Sequence, residues 1–106
     1  MITAIVNFDL ADGMDRDKVA AMFEASAGRY RKVPGLIRKY YLFSEGQRKG
    51  GGVYLWESRA AADSLYDADW RSAIAGRFGA EPEITFFDTP VIVDNIAGSV
   101  SAQAAE

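Results

Sequence analysis

Apolar and polar residues alternate along the first ten positions of the chain. The apolar parity holds Ile2, Ala4, Val6, Phe8 and Leu10. A period of two over this length predicts a strand over residues 2–10. An Ala-Asp-Gly turn follows, and apolar residues then recur at helical spacing, which predicts a helix over residues 16–32 with Asp15 as its N-cap. Pro34 ends this helix, because the residue before a proline avoids the helical conformation.

The remaining pattern predicts a second run of strands and helices. Two apolar and aromatic strands joined by a polar loop form a hairpin, a helix kinked near residues 67–69 follows, and a last strand closes the series. These elements lie at residues 36–44, 51–57, 58–78 and 83–88, with residues 90–94 as a continuation of the last strand. Residues 95–106 show no period, so we predict a domain over residues 1–94 and a flexible tail after it.

This order of elements predicts a ferredoxin-like α+β fold, βαββαβ, with a four-stranded antiparallel sheet and both helices on one face. The second, third and fourth strands are apolar on both parities. Because the helices cover only one face, the other face needs a second cover. We therefore predict a homodimer through the sheet face. The alternative is a few exposed aromatic side chains around a polar centre.

Composition narrows the chemistry that this fold can carry. The chain has 106 residues, 12 basic and 15 acidic side chains, no cysteine and no histidine. Disulfides, thiolate or imidazole metal sites and the commonest general base are therefore excluded, and we expect no metal and no cofactor. We expect no membrane span either, and the absence of a basic leader at the N-terminus predicts a cytoplasmic protein.

The predicted hairpin carries a recognisable series of residues. It holds Pro34-Gly35, Lys39, Tyr41, Glu45, Gly51-Gly52, Tyr54 and Trp56. This series resembles the YdhR-like monooxygenase family of the dimeric α/β-barrel superfamily. The resemblance covers residues 2 to about 95, and its specific motif lies in the hairpin. It implies a dimeric ferredoxin-like protein related to cofactor-free antibiotic-biosynthesis monooxygenases.

The same superfamily contains haem-degrading enzymes, and this chain is similar to them only in part. They carry an asparagine midway along the first strand, where Asn7 lies, and a histidine on the second helix. The matching helix region offers Ala75 instead. This difference argues against haem.

Polar and aromatic residues on the strands and the second helix are the candidate site. We predict Asn7 and Lys39 as catalytic residues, and as substrate-binding residues Arg38, Tyr41, Tyr54, Trp56 and Trp70. A positive charge beside aromatic rings makes an apolar pocket with one polar group that can orient a ligand. Such a pocket suits a planar aromatic ligand. The expected strand register places Lys39 opposite Glu57. The alternatives are a cross-strand ion pair among core aromatics, and an Asn7 amide that bonds to a neighbouring backbone group.

We therefore predict a cofactor-independent monooxygenase that oxidises a small phenol- or quinol-type compound, with a non-catalytic ligand-binding or stress-related module as the alternative. RNA-recognition modules share the order of elements, and residues 29–49 carry seven basic side chains against one acid. However, Gly51 and Val53 stand where RNA-binding strands place stacking aromatics. With a pI of about 4.9, we expect no nucleic-acid partner. The basic stretch either steers an anionic small molecule or is a solvated edge.

Overall fold

A four-stranded antiparallel sheet with helices on one face is the framework of the chain, of which the computed structural model describes residues 1–105. The elements are β1 (Ile2–Asp9), α1 (Arg16–Tyr30), β2 (Leu36–Ser44), β3 (Lys49–Trp56), α2 (Arg59–Leu65), α3 (Ala68–Phe78), β4 (Glu83–Asp88), β5 (Val91–Asp94) and β6 (Ser99–Ala102). The sheet order is β2-β3-β1-β4, and every neighbouring pair is antiparallel. The predicted ferredoxin-like α+β fold is confirmed.

Side-chain caps explain where the helices begin. The Asp15 carboxylate accepts the Lys18 backbone N–H at 2.9 Å and starts α1. The predicted kink in the second helical region is a complete break, because the Asp67 carboxylate accepts the Trp70 N–H at 2.8 Å and starts α3 as a new helix. Gly79 then ends α3 in the left-handed conformation, at φ 99°.

The buried core lies between the sheet and the helices. The alternation predicted for the first strand is confirmed, because Ala4, Val6 and Phe8 of β1 are all buried. They pack with aromatic side chains of β3 and apolar residues of α3, including Trp56 and Phe78. This packing fixes which strand parity faces the helices.

The register of the β2–β3 hairpin differs from the prediction. Lys39 lies opposite Tyr54, whereas Glu57 lies beyond β3 and donates its backbone N–H to the Gly35 carbonyl at 2.8 Å. The cause is the turn: β2 continues to Ser44 and only residues 45–48 separate it from β3, so the pairing moves by three positions. The expected pair of Lys39 and Glu57 was therefore wrong. Lys39 shares the helix-facing side of the sheet with Tyr54.

The opposite face of the sheet is apolar and uncovered. Tyr40 and Leu42 of β2 are 56% and 41% exposed, and Phe87 of β4 is 50% exposed. Val53 and Ile5 occupy the centre of this face, on β3 and β1. The predicted need for a second cover therefore holds for the isolated chain.

The C-terminal segment forms a second, two-stranded sheet. β5 does not continue β4; it pairs with β6, and Val91 lies opposite Ala102. The residues expected to form a flexible tail thus include a paired strand, which their short, small and polar sequence did not indicate. The division into residues 1–94 and 95–106 stays a prediction.

Within residues 1–105, no helix combines the length and apolar character needed to cross a membrane.

Candidate active site

An inner cavity lies between the sheet and helices α1 and α3. Its walls are mostly apolar, and its polar lining includes Tyr30, Lys39, Tyr41, Tyr54 and Arg77. The cavity volume is about 20 Å³, enough for about one water molecule. Lys39, Tyr30 and Tyr41 also line a surface groove of about 330 Å³ between α1 and β2. Lys39 is therefore accessible from this surface groove.

Tyrosine rings surround the Lys39 side-chain amine. Its Nζ atom lies 3.3 Å from the ring centre of Tyr30, 3.8 Å from that of Tyr41 and 4.6 Å from that of Tyr54. We call Lys39 with these three residues the tyrosine cage. The rings come from α1, β2 and β3, so the fold itself assembles the cage. Among residues 1–105, no carboxylate lies within ion-pair distance of Lys39.

The cage changes the proton affinity of the amine. Burial lowers the pKa of Lys39 to about 6, and the positive charge of Arg29 adds to this shift. At neutral pH the side chain is therefore mostly a neutral amine, which can accept a proton. The site thus contains a base, although the chain has no histidine.

Hydroxyl groups around the cavity are held by hydrogen bonds. The Tyr41 and Ser26 hydroxyls lie 2.7 Å apart, and the Trp70 indole N–H donates to the Tyr30 hydroxyl at 3.0 Å. Burial raises the pKa of Tyr41, and it raises the pKa of Tyr54 further. These phenols therefore stay protonated at neutral pH. Because the Ser26 hydroxyl donates to the Phe23 carbonyl at 2.9 Å, the Tyr41 hydroxyl is the donor in its bond with Ser26.

Four of the predicted site residues meet in this cavity. Lys39, Tyr41, Tyr54 and Trp70 all line it. The register correction explains why the first three share one side, since Lys39 and Tyr41 have the parity that faces Tyr54. Their assignment to a ligand site stays a proposal.

Three predicted site residues lie elsewhere. Asn7 projects to the uncovered face of the sheet, because its neighbours Val6 and Phe8 face the helices. Arg38 also has the parity opposite to Lys39 and reaches only the outer groove. Trp56 is fully buried, and its indole N–H donates to the Tyr66 hydroxyl at 3.1 Å, so it supports the core behind the cavity. Asn7 and Lys39 therefore do not form one catalytic pair.

Sequence reasoning missed Tyr30 and Ser26 as site residues. Tyr30 follows Val19, Met22 and Phe23 at helical spacing, so it was assigned to the core stripe of the first helix. Its polar hydroxyl at the end of an apolar stripe was the available signal.

A pH-dependent stability is expected from the cage. Lys39 binds a proton in the unfolded chain up to a pKa of about 10.4 but in the folded chain only below about 6. The folded state therefore holds fewer protons between these values, and its stability rises with pH by roughly 1 kcal/mol per pH unit. Lys39→Met removes this contribution, so the variant should exceed the wild type in stability most at pH 6–7 and least near pH 9.

Urea unfolding at several pH values measures this difference. At each pH, the free energy of unfolding of the wild type is subtracted from that of the variant. This difference cancels the contributions of the tyrosines and arginines that face Lys39 and that both proteins share, namely Tyr30, Tyr41, Tyr54, Arg29 and Arg77. A stability difference that is constant from pH 6 to pH 9 would show that the amine titrates normally.

No cluster of three or more histidine, cysteine, aspartate or glutamate side chains in residues 1–105 could hold a metal ion.

Comparison with protein families gives a match over most of the chain. The model of the family described as "Putative mono-oxygenase ydhR" matches residues 4–86. This range includes the β2–β3 hairpin and all residues of the tyrosine cage. No curated protein sequence matches the chain.

Solved structures show the same fold at low sequence identity. A point mutant of MhuD with two manganese protoporphyrin IX molecules per active site is 20% identical, with a TM-score of 0.67 over 89% of this chain and 99% of that one. A monooxygenase from the ActVA-Orf6 gene of Streptomyces coelicolor, in complex with nanaomycin D, is 21% identical, with a TM-score of 0.65 over 87% and 89%. A point mutant of SnoaB, a cofactor-independent oxygenase from Streptomyces nogalater, is 14% identical, with a TM-score of 0.60 over 83% and 91%.

Proposed function

This chain belongs to the family described as "Putative mono-oxygenase ydhR", and we propose that it is a cofactor-independent monooxygenase that oxidises a small phenol- or quinol-type compound at the tyrosine cage. The observation that carries this proposal is the partly buried Lys39 amine, held against three tyrosine rings without a carboxylate partner. Two structural neighbours named as oxygenases support it at the level of the fold.

The first chemical step is a proton transfer to Lys39. An electron-rich phenol or quinol bound in the groove presents its acidic proton to the neutral amine, whose pKa of about 6 allows it to act as a base. The ammonium that forms lies over the rings of Tyr30 and Tyr41, whose faces attract a cation. The substrate anion stays paired with this ammonium, next to the aromatic rings of the cage.

The second step is the reaction of the substrate anion with oxygen. Such an anion is electron-rich enough to give electrons to O₂ directly, so the substrate itself is the reductant. The ammonium formed on Lys39 can stabilise the negative charge that develops on oxygen, while the Tyr41 hydroxyl, which donates to Ser26, stays fixed beside it. Apolar side chains line the inner side of the cage, and the rings of Tyr30 and Tyr41 flank the groove, so they limit the contact of bulk water with the reacting atoms.

A haem does not fit the residues of this chain. The structural neighbour MhuD holds a porphyrin, but this sequence contains no histidine and no cysteine to ligate a haem iron. No step of the mechanism therefore passes through such a group.

Oxygen uptake tests the proposed activity against its rival, a ligand-binding or stress-related module without turnover. Metal-stripped protein is mixed with a panel of anthrones, hydroquinones and catechols, and a protein-free control corrects for autoxidation. We expect catalysed uptake with at least one compound. Saturable binding of panel compounds without uptake above the control would contradict the enzyme and support the module. The cytoplasmic location stays a prediction.

Asn7→Ala and Lys39→Ala, made as single variants, locate the activity, because the two side chains lie on opposite faces of the sheet. Loss of uptake in Lys39→Ala would place the reaction at the tyrosine cage. Loss in Asn7→Ala alone would move the site to the uncovered face and contradict the mechanism.

The uncovered sheet face supports the proposal of a homodimer. Val53 occupies the centre of this face, between exposed Tyr40 and partly buried Ile5. A lysine at position 53 would place a charge in the middle of a sheet-on-sheet contact. We expect Val53→Lys to shift the chain from a dimer to a monomer of 11.6 kDa in sedimentation velocity.

Ala73→Lys is the matched control, because residue 73 is exposed on α3, on the helix side of the sheet. A wild-type protein that sediments as a monomer at all concentrations would contradict the dimer.

A further inference from the structure

The outer groove combines aromatic walls with positive charge. Two arginines line it, Arg31 at the C-terminal end of α1 and Arg38 on β2, beside the Lys39 amine. No acidic residue lines it. The groove runs along the outer edge of the sheet, where β2 has no neighbouring strand. Side chains of both strand parities therefore reach it, including the adjacent Arg38 and Lys39.

The positive charge of the groove is opposite in sign to the net charge of the whole chain. The chain has a net charge of −3, yet two arginine guanidinium groups line the groove without a lining acid. Basic and acidic residues alternate on an ordinary solvated surface, whereas no acidic residue separates the basic ones in this groove. The arrangement is that of a site for an anion.

The cations of the groove are only loosely engaged within the protein. The Arg38 guanidinium lies 3.8 Å from the Asp94 carboxylate and 3.5 Å from the Tyr40 hydroxyl, both at the outer limit of such contacts. Arg31 has no ion pair among residues 1–105. Both guanidinium groups are therefore available to a carboxylate, which arginine recognises through paired N–H donors.

Lys39 supplies the second, independent observation. Its amine lies partly buried in the tyrosine cage without a carboxylate, and it lines both the groove and the inner cavity. The hydroxyl of a ligand in the groove would therefore lie beside a proton acceptor. The ring of this ligand would lie against Tyr30 and Tyr41, which form the aromatic wall.

We propose that the groove between α1 and β2 binds an aromatic carboxylate, with its carboxylate between Arg31 and Arg38 and its hydroxylated ring against the tyrosine cage. This inference rests on the proposed function, because it names the substrate class of the same site. The groove volume of about 330 Å³ lies at the lower end of the range for small-molecule sites. A ring system of two or three fused rings is therefore the largest expected ligand.

A matched pair of ligands tests the anionic group directly. 3-Hydroxy-2-naphthoate and 2-naphthol share the naphthalene ring and the hydroxyl and differ by one carboxylate. Isothermal titration calorimetry of the wild-type protein should give binding at least about 10-fold tighter for the naphthoate at low salt, with a smaller ratio at high salt. Equal affinities for the two ligands would overturn the proposal.

Variants that replace the two arginines with glutamine test where the carboxylate of the ligand binds. Arg31→Gln/Arg38→Gln should reduce the naphthoate affinity to that of 2-naphthol and leave the 2-naphthol affinity within about twofold. Lys18→Gln, at an exposed position near the start of α1, removes one positive charge far from the groove and should keep the full ratio. A ratio that survives in the double variant, with thermal melting confirming its fold, would overturn the assignment of these arginines.

Ligand binding and oxygen uptake together distinguish a failure of the anion site from a failure of the proposed function. Equal binding of both ligands by a preparation that still consumes oxygen with a neutral quinol would overturn the anion site alone. Selective binding of the naphthoate by a preparation that consumes no oxygen with any panel compound would support the anion site and overturn the oxygenase.

Discussion

Replacing Lys39 with methionine is expected to lower catalysed oxygen uptake by about 100-fold or more while the chain stays folded. Methionine keeps much of the length and apolar character of the lysine side chain, so the rings of Tyr30, Tyr41 and Tyr54 keep a packing partner. It cannot accept a proton. Initial rates under air, measured beside circular dichroism of the same samples, check this expectation.

Lys39→Arg shows whether residue 39 acts as a base or acts through a positive charge. An arginine carries a positive charge and stays protonated at all working pH values, so it should be as inactive as Lys39→Met if the amine is the base. The wild-type kcat/KM should fall as the pH drops through about 6, because the amine becomes protonated there. Lys18→Met, on the exposed start of α1, is the matched control and should match the wild-type rate. Full activity of Lys39→Arg would contradict the role as a base.

Gly51→Ala is expected to have the largest effect on stability. Gly51 lies opposite Asn7 in the β1–β3 ladder, and a Cβ atom at this position would overlap the Val6 carbonyl oxygen. Because the obstacle is backbone at the centre of the sheet, neither strand can yield without breaking the ladder. We expect a loss of about 3 kcal/mol or more in the free energy of unfolding. Thermal melting and urea unfolding measure it.

Gly76→Ala is the matched control for this glycine substitution. Gly76 is exposed in α3, and a Cβ atom there would meet nothing within 4 Å. Alanine favours the helix over glycine, so this variant should gain up to about 1 kcal/mol. A Gly51→Ala protein that melts at the wild-type temperature would contradict the close approach of β1 and β3.

The order of the elements could be predicted because each carries a local signal. Alternation marked β1, and the Asp15 cap marked the start of α1. The register of the hairpin could not be predicted, because polar and glycine residues around 45–50 allow several turn lengths, and each length moves the pairing. The β6 strand was missed for a related reason: its four residues are too short to show a period.

The candidate site could be predicted only in part. The family resemblance singled out Lys39, Tyr41 and Tyr54, which do meet in one cavity. Asn7 was placed with them from its position along the strand, but a shift of one residue along a strand moves a side chain to the other face of the sheet. The cage also needs Tyr30 from α1, and contacts between distant elements leave no mark on local sequence.

Oxygen-isotope labelling with anthrone tests the central claim most directly. Anthrone and one O₂ give anthraquinone and one water, so the four electrons come from the substrate and one oxygen atom enters the product. Metal-stripped wild-type protein under ¹⁸O₂ should give anthraquinone with one ¹⁸O atom, at a rate well above both the protein-free control and Lys39→Met. Anthraquinone formed no faster than in those two controls would contradict a cofactor-independent monooxygenase at the tyrosine cage.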